Sequence, residues 1–184
     1  SEVREQAMDT IAGSKAAWVA EALRQFERPL LRYAAGITGD AELARDIVQE
    51  TFLKLCTADR AKVDGHLAAW LHTVVRNHAL NVRKKESRMA PLLDEHAATL
   101  ANGGSGPGAE ADRNETHRLI ADTIRELPAD QQEACRLKFH NGLTYREISE
   151  VMGVSLGTVS NLVAGALDVL RRRLRTERDP VREN

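Results

Sequence analysis

Between two stretches of helical periodicity, residues 100–114 read LANGGSGPGAEADRN, in which four glycines, a proline and small polar residues interrupt every apolar pattern. A regular element does not cross such a stretch: glycine is conformationally free, proline removes a backbone donor, and little apolar surface is left to bury. The chain of 184 residues therefore divides into two modules, each of which must close its own core. Aromatic residues make up only 4% of the chain, so Leu, Val, Ile and Ala must fill those cores, and that composition favours helices. The expectation is an all-α protein of two small helical domains, residues 1–92 and 114–184, joined by a flexible linker over 93–113, with a short basic tail at the end.

Upstream of the linker, AELARDIVQETFLKLC sets Leu43, Ala44, Ile47, Val48, Thr51, Phe52 and Leu55 at alternating steps of one and three, a helical stripe wide enough to pack on neighbours. Residues 15–37 repeat the spacing through Trp18, Ala22, Phe26, Leu30, Tyr33 and Ile37, with Pro29 either a kink or a boundary between two helices. A third pattern runs through Leu67, Trp70, Leu71, Val74, Val75, Leu80 and Val82, turns strongly basic, and ends at Pro91. Downstream, residues 114–127 form a helix closed by Leu127-Pro128, because the residue before proline is pushed out of helical geometry. Pro128 opens a further helix that stops at Asn141-Gly142, and Thr144 with Glu147 three residues on forms a capping box.

Residues 144–163, TYREISEVMGVSLGTVSNLV, then follow the layout of a helix-turn-helix. Ile148 and Val151 face inward, Ser149 is small where the helices cross, and Gly153 supplies the tight turn. Val154 plugs the core, and Val159 with Leu162 or Val163 anchors the second helix. An ordinary helical hairpin is the alternative to a DNA-reading one. Over residues 62–89 six cations, Lys62, Arg76, Arg83, Lys84, Lys85 and Arg88, face only Asp64 and Glu86, a local balance of +4. Together with Trp70, Asn77, His78 and Asn81 that mixture suits nucleic acid, although a charge run is also what a solvated face looks like and Trp70 is in register with the core. On the outer side of the helix over 41–56, Asp46, Gln49, Glu50 and Leu53 share one patch, which is either a protein contact or a lone exposed leucine among polar groups.

Other chemistries find little support. Lys plus Arg (26) nearly balance Asp plus Glu (27), which excludes a general coat for polyanions. Cys56 and Cys135 are too far apart for a zinc knuckle or a disulfide framework. The histidines, His72 and His78 among them, have no metal-ligand spacing, so neither a metal nor another cofactor is expected. No phosphate-cradling glycine loop or nucleophile elbow appears, so an enzyme is not expected. With no secretory signal and no apolar run long enough to span a bilayer, the sequence reads as cytoplasmic, without membrane insertion.

Three segments, LLRYAAGITGDAELARDIVQETFLKLC, AAWLHTVVRNHALNVRKKESR and LPADQQEACRLKFHNGLTYREISEVMGVSLGTVSNLVAGALDVLRRRL, resemble in order and separation bacterial RNA polymerase sigma factors of the extracytoplasmic-function type. The resemblance covers roughly residues 20–90 and 115–174. It implies a region 2 domain that binds the polymerase clamp helices and opens the minus-ten promoter element, and a region 4 domain that reads the minus-thirty-five element and docks on the polymerase flap. It assigns Asp46, Gln49, Glu50 and Leu53 to the clamp. Arg76, Asn77 and His78 would begin a loop that captures an unstacked base, with Asn81, Arg83, Lys84, Lys85 and Arg88 following the strand backbone. At the start of the reading helix, free amides and Thr158 would meet phosphate, and Ser160 or Asn161 would reach base edges. Arg171 and Arg172 would touch backbone or simply solvate the last turns. The resemblance further implies an anti-sigma protein as a third partner, clamping both domains.

The sequence departs from the family pattern at two places. Asn81 stands where many members carry Asp. Ser160, Leu162, Gly165 and Leu167 occupy four positions that are often basic, so fewer phosphate contacts and a shallower salt dependence are expected. The alternative to promoter selection is a stand-alone helix-turn-helix regulator or adaptor that does not initiate transcription.

Overall fold

The computed structural model describes the backbone of residues 2–89 and 110–178 and the side chains of residues 13–88 and 115–176. The segment carrying the linker glycines and Pro91, and the tail beyond Arg178, lie outside the described residues. The chain forms two compact units, residues 1–100 and 101–184. All regular structure among the described residues is helical.

In the first unit, α1 (Glu2–Thr38), α2 (Ala41–Thr57) and α4 (Leu67–Met89) pack pairwise, with a single turn α3 (Arg60–Val63) and a tight 3-10 turn between the last two. Pro29 lies inside one continuous helix, so the two-helix alternative for residues 15–37 falls away. A mid-helix proline costs about 3 kcal/mol. Leu30, Tyr33 and Ala34, all at most 1% exposed, supply the burial that holds the helix past it. Asp40 Oδ1 starts α2 by accepting from the amides of Glu42 (2.7 Å) and Leu43 (3.1 Å). The expected stripe on α2 is the buried one: Ala44, Ile47, Val48, Thr51, Phe52 and Leu55. Thr51 is accommodated there because its hydroxyl donates to Ile47 O at 2.8 Å.

The buried face of α4 differs from the expected stripe. It is made by Ala69, Leu71, His72, Val75 and Ala79, whereas Leu80 is exposed and Trp70 is only half-buried. Small alanines let α4 approach its neighbours closely, and His72 turns its ring to Tyr33, with centroids 5.4 Å apart, while Nδ1 meets Ala68 O at 2.7 Å. Selecting the large apolar residues rotates the inferred face away from the real one. Trp18 is the tryptophan that is buried, and its Nε1 donates to Asp64 Oδ1 at 2.9 Å.

In the second unit, α5 (Glu110–Glu126) begins four residues before the expected start at 114 and ends at the expected proline. A helix α6 (Ala129–Cys135) continues into a π turn, Arg136–His140. Gln132 Nε2 donates to Arg125 O and Leu127 O, satisfying carbonyls freed at the end of α5. Then α7 (Tyr145–Met152) and α8 (Leu156–Arg178) are set at 105°, within the range of helix-turn-helix pairs. The capping box forms as the sequence predicts, with Glu147 Oε2 accepting from Thr144 N (2.7 Å) and Thr144 Oγ1 from Glu147 N (3.3 Å). Gly153 has φ of 67°, a left-handed conformation that a side chain disfavours, and it turns the chain between the two helices. Ile148, Val151, Val159 and Val163 form the inner face, which resolves the Leu162 or Val163 alternative in favour of Val163. Val154 is half-buried, less of a plug than expected, and its carbonyl accepts from Ser149 Oγ.

Both cysteines are free thiols, Cys56 exposed and Cys135 buried beside Leu127 and Ala166. Burial pushes the Cys135 thiol up, since the thiolate is the form that loses solvation. A thiol reagent is therefore expected to label one cysteine rapidly at neutral pH, and mapping the labelled peptide should give Cys56. Because the unfolded state releases the Cys135 proton first, this group's contribution to stability is full below the ordinary thiol pKa of 9.0 and declines above it. Rapid labelling of Cys135 in native protein would contradict its burial.

Candidate functional site

The outer face of α2 carries the polar patch the sequence singles out. Asp46, Gln49, Glu50 and Leu53 are all exposed, Leu53 at 66%, while alternating residues of the same helix are in the core. An apolar groove of about 610 Å³ borders this patch, running between α1 and α2 and lined by Val19, Leu23, Leu31, Phe52 and, at its edge, Gln49 and Leu53. Sequence reasoning missed the groove, because Val19, Leu23 and Leu31 lie beside the stripe read on that helix and join Phe52 only when α1 and α2 pack.

On α4 the cations Arg83, Lys84, Lys85 and Arg88 are exposed, with Asn81 and Asn77 about one and two turns before Lys85, also exposed. Arg76 is half-buried. Arg76, Asn77 and His78 do not begin a loop, because α4 continues without a break to Met89. A helix fixes these groups along one rod. His78 is drawn inward: its Nδ1 is buried, lies 3.4 Å from Glu50 Oε2 on α2, and is out of line for a hydrogen bond.

In the second unit, α8 presents Gly157, Thr158, Ser160, Asn161 and Ala164 to solvent, followed by Asp168, Arg171 and Arg172. Ser155 caps the helix: its Oγ accepts from Thr158 N at 3.1 Å and lies 2.9 Å from Thr158 Oγ1. The Thr158 amide and hydroxyl expected to meet phosphate are thus engaged locally. Arg171 pairs with Asp168 at 3.0 Å, and Arg172 Nε donates to Asp168 O at 3.3 Å. Such exposed pairs hold weakly and leave the guanidinium available. Leu156, in the first turn of α8, is 52% exposed.

The four unusual positions of this helix have different surroundings. Ser160 is exposed, but Leu162, Gly165 and Leu167 are half-buried against the unit's own helices. A Cβ placed on Gly165 would lie 3.0 Å from Gln131 Nε2 of α6, so a long basic side chain there would first have to displace Gln131. Three of the four departures therefore concern packing within the unit.

Among the described residues no group of His, Cys, Asp or Glu could hold a metal ion, and no single helix is long and apolar enough to cross a membrane. The bent pair α7 and α8 has a membrane-like length and composition, but its apolar surface is the buried inner face of the helix-turn-helix.

A helix-turn-helix in one unit and a cation-lined helix beside an exposed polar-apolar patch in the other define a DNA-binding protein with a second, protein-facing surface. Comparison with known proteins narrows this class. The family description Sigma-70 region 2 matches residues 22–89, and Sigma-70, region 4 matches residues 117–169. The chain is 34% identical over 139 residues to the ECF RNA polymerase sigma factor EcfG of Rhodopseudomonas palustris, covering 73% of this chain and 74% of that one. It is 30% identical over 151 residues to the sigma factor SigL of Mycobacterium tuberculosis, covering 79% and 82%. Among solved structures it resembles the sigma factor RpoE of Bartonella quintana, crystallised with the anti-sigma factor NepR. That likeness has a TM-score of 0.60 and 25% identity, and covers 85% of this chain and 96% of the other. The chain belongs to the extracytoplasmic-function sigma factors of the sigma-70 family. It binds core RNA polymerase and promoter DNA and directs transcription initiation; a stand-alone regulator is not favoured.

Proposed function

We propose that the two functions of the first unit are divided between two helices. The outer face of α2, through Asp46, Gln49, Glu50 and Leu53, seats the clamp helices of core polymerase, and α4 engages the minus-ten element. The observation that carries this reading is the placement of one exposed leucine among three exposed polar groups on a helix whose other face is core. An apolar anchor ringed by polar groups is the usual anatomy of an interface hot spot. On α4, Asn77 and Asn81 contact an extruded base, while Arg76, Arg83, Lys84, Lys85 and Arg88 neutralise the strand, a reading supported by the exposure of all but the half-buried Arg76. The second unit reads the minus-thirty-five element through Ser160 and Asn161 in the major groove and contacts the flap. Thr158, Arg171 and Arg172 flank the reading residues.

The protein acts as a binding subunit with no catalytic step of its own, in the cytoplasm, where polymerase and promoter are. An anti-sigma protein is a third partner of this reading. The groove between α1 and α2 shares Gln49 and Leu53 with the polymerase patch, so an occupant of the groove would compete with polymerase.

Mixing the protein with core polymerase and candidate promoter DNA should give open complexes, read as permanganate-sensitive bases around minus ten. Tight duplex binding by the free protein, without melting when polymerase is present, would reverse the conclusion. Within the same assay Asn161→Ala is expected to lower minus-thirty-five selectivity by about tenfold, the value of one good base contact. Arg172→Ala should weaken binding evenly across sequences. Equal, sequence-independent losses in both variants would remove Asn161 from base reading.

A further inference from the structure

His78 lies on the DNA-facing helix, but its Nδ1 faces the polymerase-facing one. The side chain is one-quarter exposed, the Nδ1 atom itself is buried without a hydrogen-bond partner, and Glu50 Oε2 is 3.4 Å away. Glu50 is 57% exposed and stands on the outer face of α2 with Asp46, Gln49 and Leu53. The two residues therefore meet at the seam where α2 and α4 pack. A buried polar nitrogen is costly to leave unpaired, and a glutamate on an open helix surface loses rotamer freedom whenever a partner fixes it. One contact answers both costs: with the proton on Nδ1, a small rotation of Glu50 lets the ring donate to its carboxylate.

We propose that His78 is a positioning residue for polymerase binding, its Nδ1–H holding the Glu50 carboxylate in the orientation that the clamp receives. The inference rests on Glu50 belonging to the polymerase surface. It gives His78 a task different from direct contact with DNA, and it ties α4, which reads the promoter, to the surface that recruits polymerase.

The test is a double-mutant cycle on full-length protein, read as affinity for core polymerase without DNA. His78→Leu keeps bulk and removes the unpaired nitrogen, so the thermal midpoint should hold or rise. Polymerase affinity should nevertheless fall about fivefold to tenfold. His78→Asn, whose amide nitrogen can stand near the Nδ1 position, should restore most of that loss. On a Glu50→Ala background, which has no acceptor for the ring and should itself bind polymerase more weakly, His78→Leu should add little further. Equal losses from His78→Leu in both backgrounds, or none with Glu50 present, would overturn the positioning role while leaving Glu50 in the interface. An unchanged affinity for Glu50→Ala alone would remove Glu50 from that surface and the inference with it.

Discussion

Leu53→Asp is expected to weaken binding to core RNA polymerase by about a hundredfold or more, with the thermal midpoint of the free protein nearly unchanged. The two halves of the prediction have separate physical grounds. Leu53 is 66% exposed in the free chain, so its replacement removes little buried surface, and substitutions of that kind stay within roughly 0.5 kcal/mol. On the proposed reading the clamp covers the same position, and a carboxylate left there without a partner costs on the order of 3 kcal/mol, about a hundredfold in affinity. Polymerase titration monitored by fluorescence anisotropy, alongside a melting curve, separates the two. Normal polymerase affinity for the variant would show that the patch on α2 is not the contact surface.

The second large effect concerns the cationic end of α4. Replacing Arg83, Lys84, Lys85 and Arg88 together by Ala should lower the salt dependence of single-stranded minus-ten binding by about 3 units of log-log slope, at roughly 0.7 for each released counterion. At about 0.1 M salt that slope corresponds to a loss on the order of several hundredfold. All four are exposed on a helix whose packed face is elsewhere, so the fold should be little affected. Binding should be measured for a non-template oligonucleotide across a salt series. An unchanged slope would mean that these cations only solvate the helix.

The shallower salt dependence expected from the sequence needs a narrower basis than a count of missing cations. Of the four positions that are often basic in the family, Leu162, Gly165 and Leu167 are turned partly into the second unit, and Gly165 makes room for Gln131. Ser160 is the one that faces outward. After Leu156, the first turns of α8 present small or polar uncharged side chains to solvent, Gly157, Thr158, Ser160, Asn161 and Ala164, which allow close approach to base edges but add little attraction to phosphate. On the proposed reading, such a helix selects more than it anchors, and polymerase supplies much of the affinity.

Much of the chain was legible because its signals are local. Thr144 and Glu147 lie three residues apart and cap one another; Leu127-Pro128 ends a helix by sterics between neighbours; Gly153 supplies a left-handed turn within a single residue. Ile148, Val151 and Val159 of the helix-turn-helix core followed from spacing, whereas the choice of Val163 over Leu162 and the half-buried Val154 did not. Other features were illegible for an equally definite reason. The buried face of α4 is set by Ala69, His72 and Ala79, which carry weak hydrophobic signals and become core only because Tyr33 and the neighbouring helices are shaped to receive them. Pro29 reads as an interruption, and only the burial of the residues after it keeps α1 whole.

The sequence by itself determined that this protein is helical, that it has two modules, and that one of them ends in a helix-turn-helix, since periodicity, caps and turns act over one or two helical turns. Tertiary structure alone decided which nitrogen of which histidine meets Glu50, that a groove opens beside Leu53, and that Gly165 faces Gln131. These depend on the distance and angle at which helices remote in sequence cross, and those are set by the packing of whole faces rather than by any short run of residues.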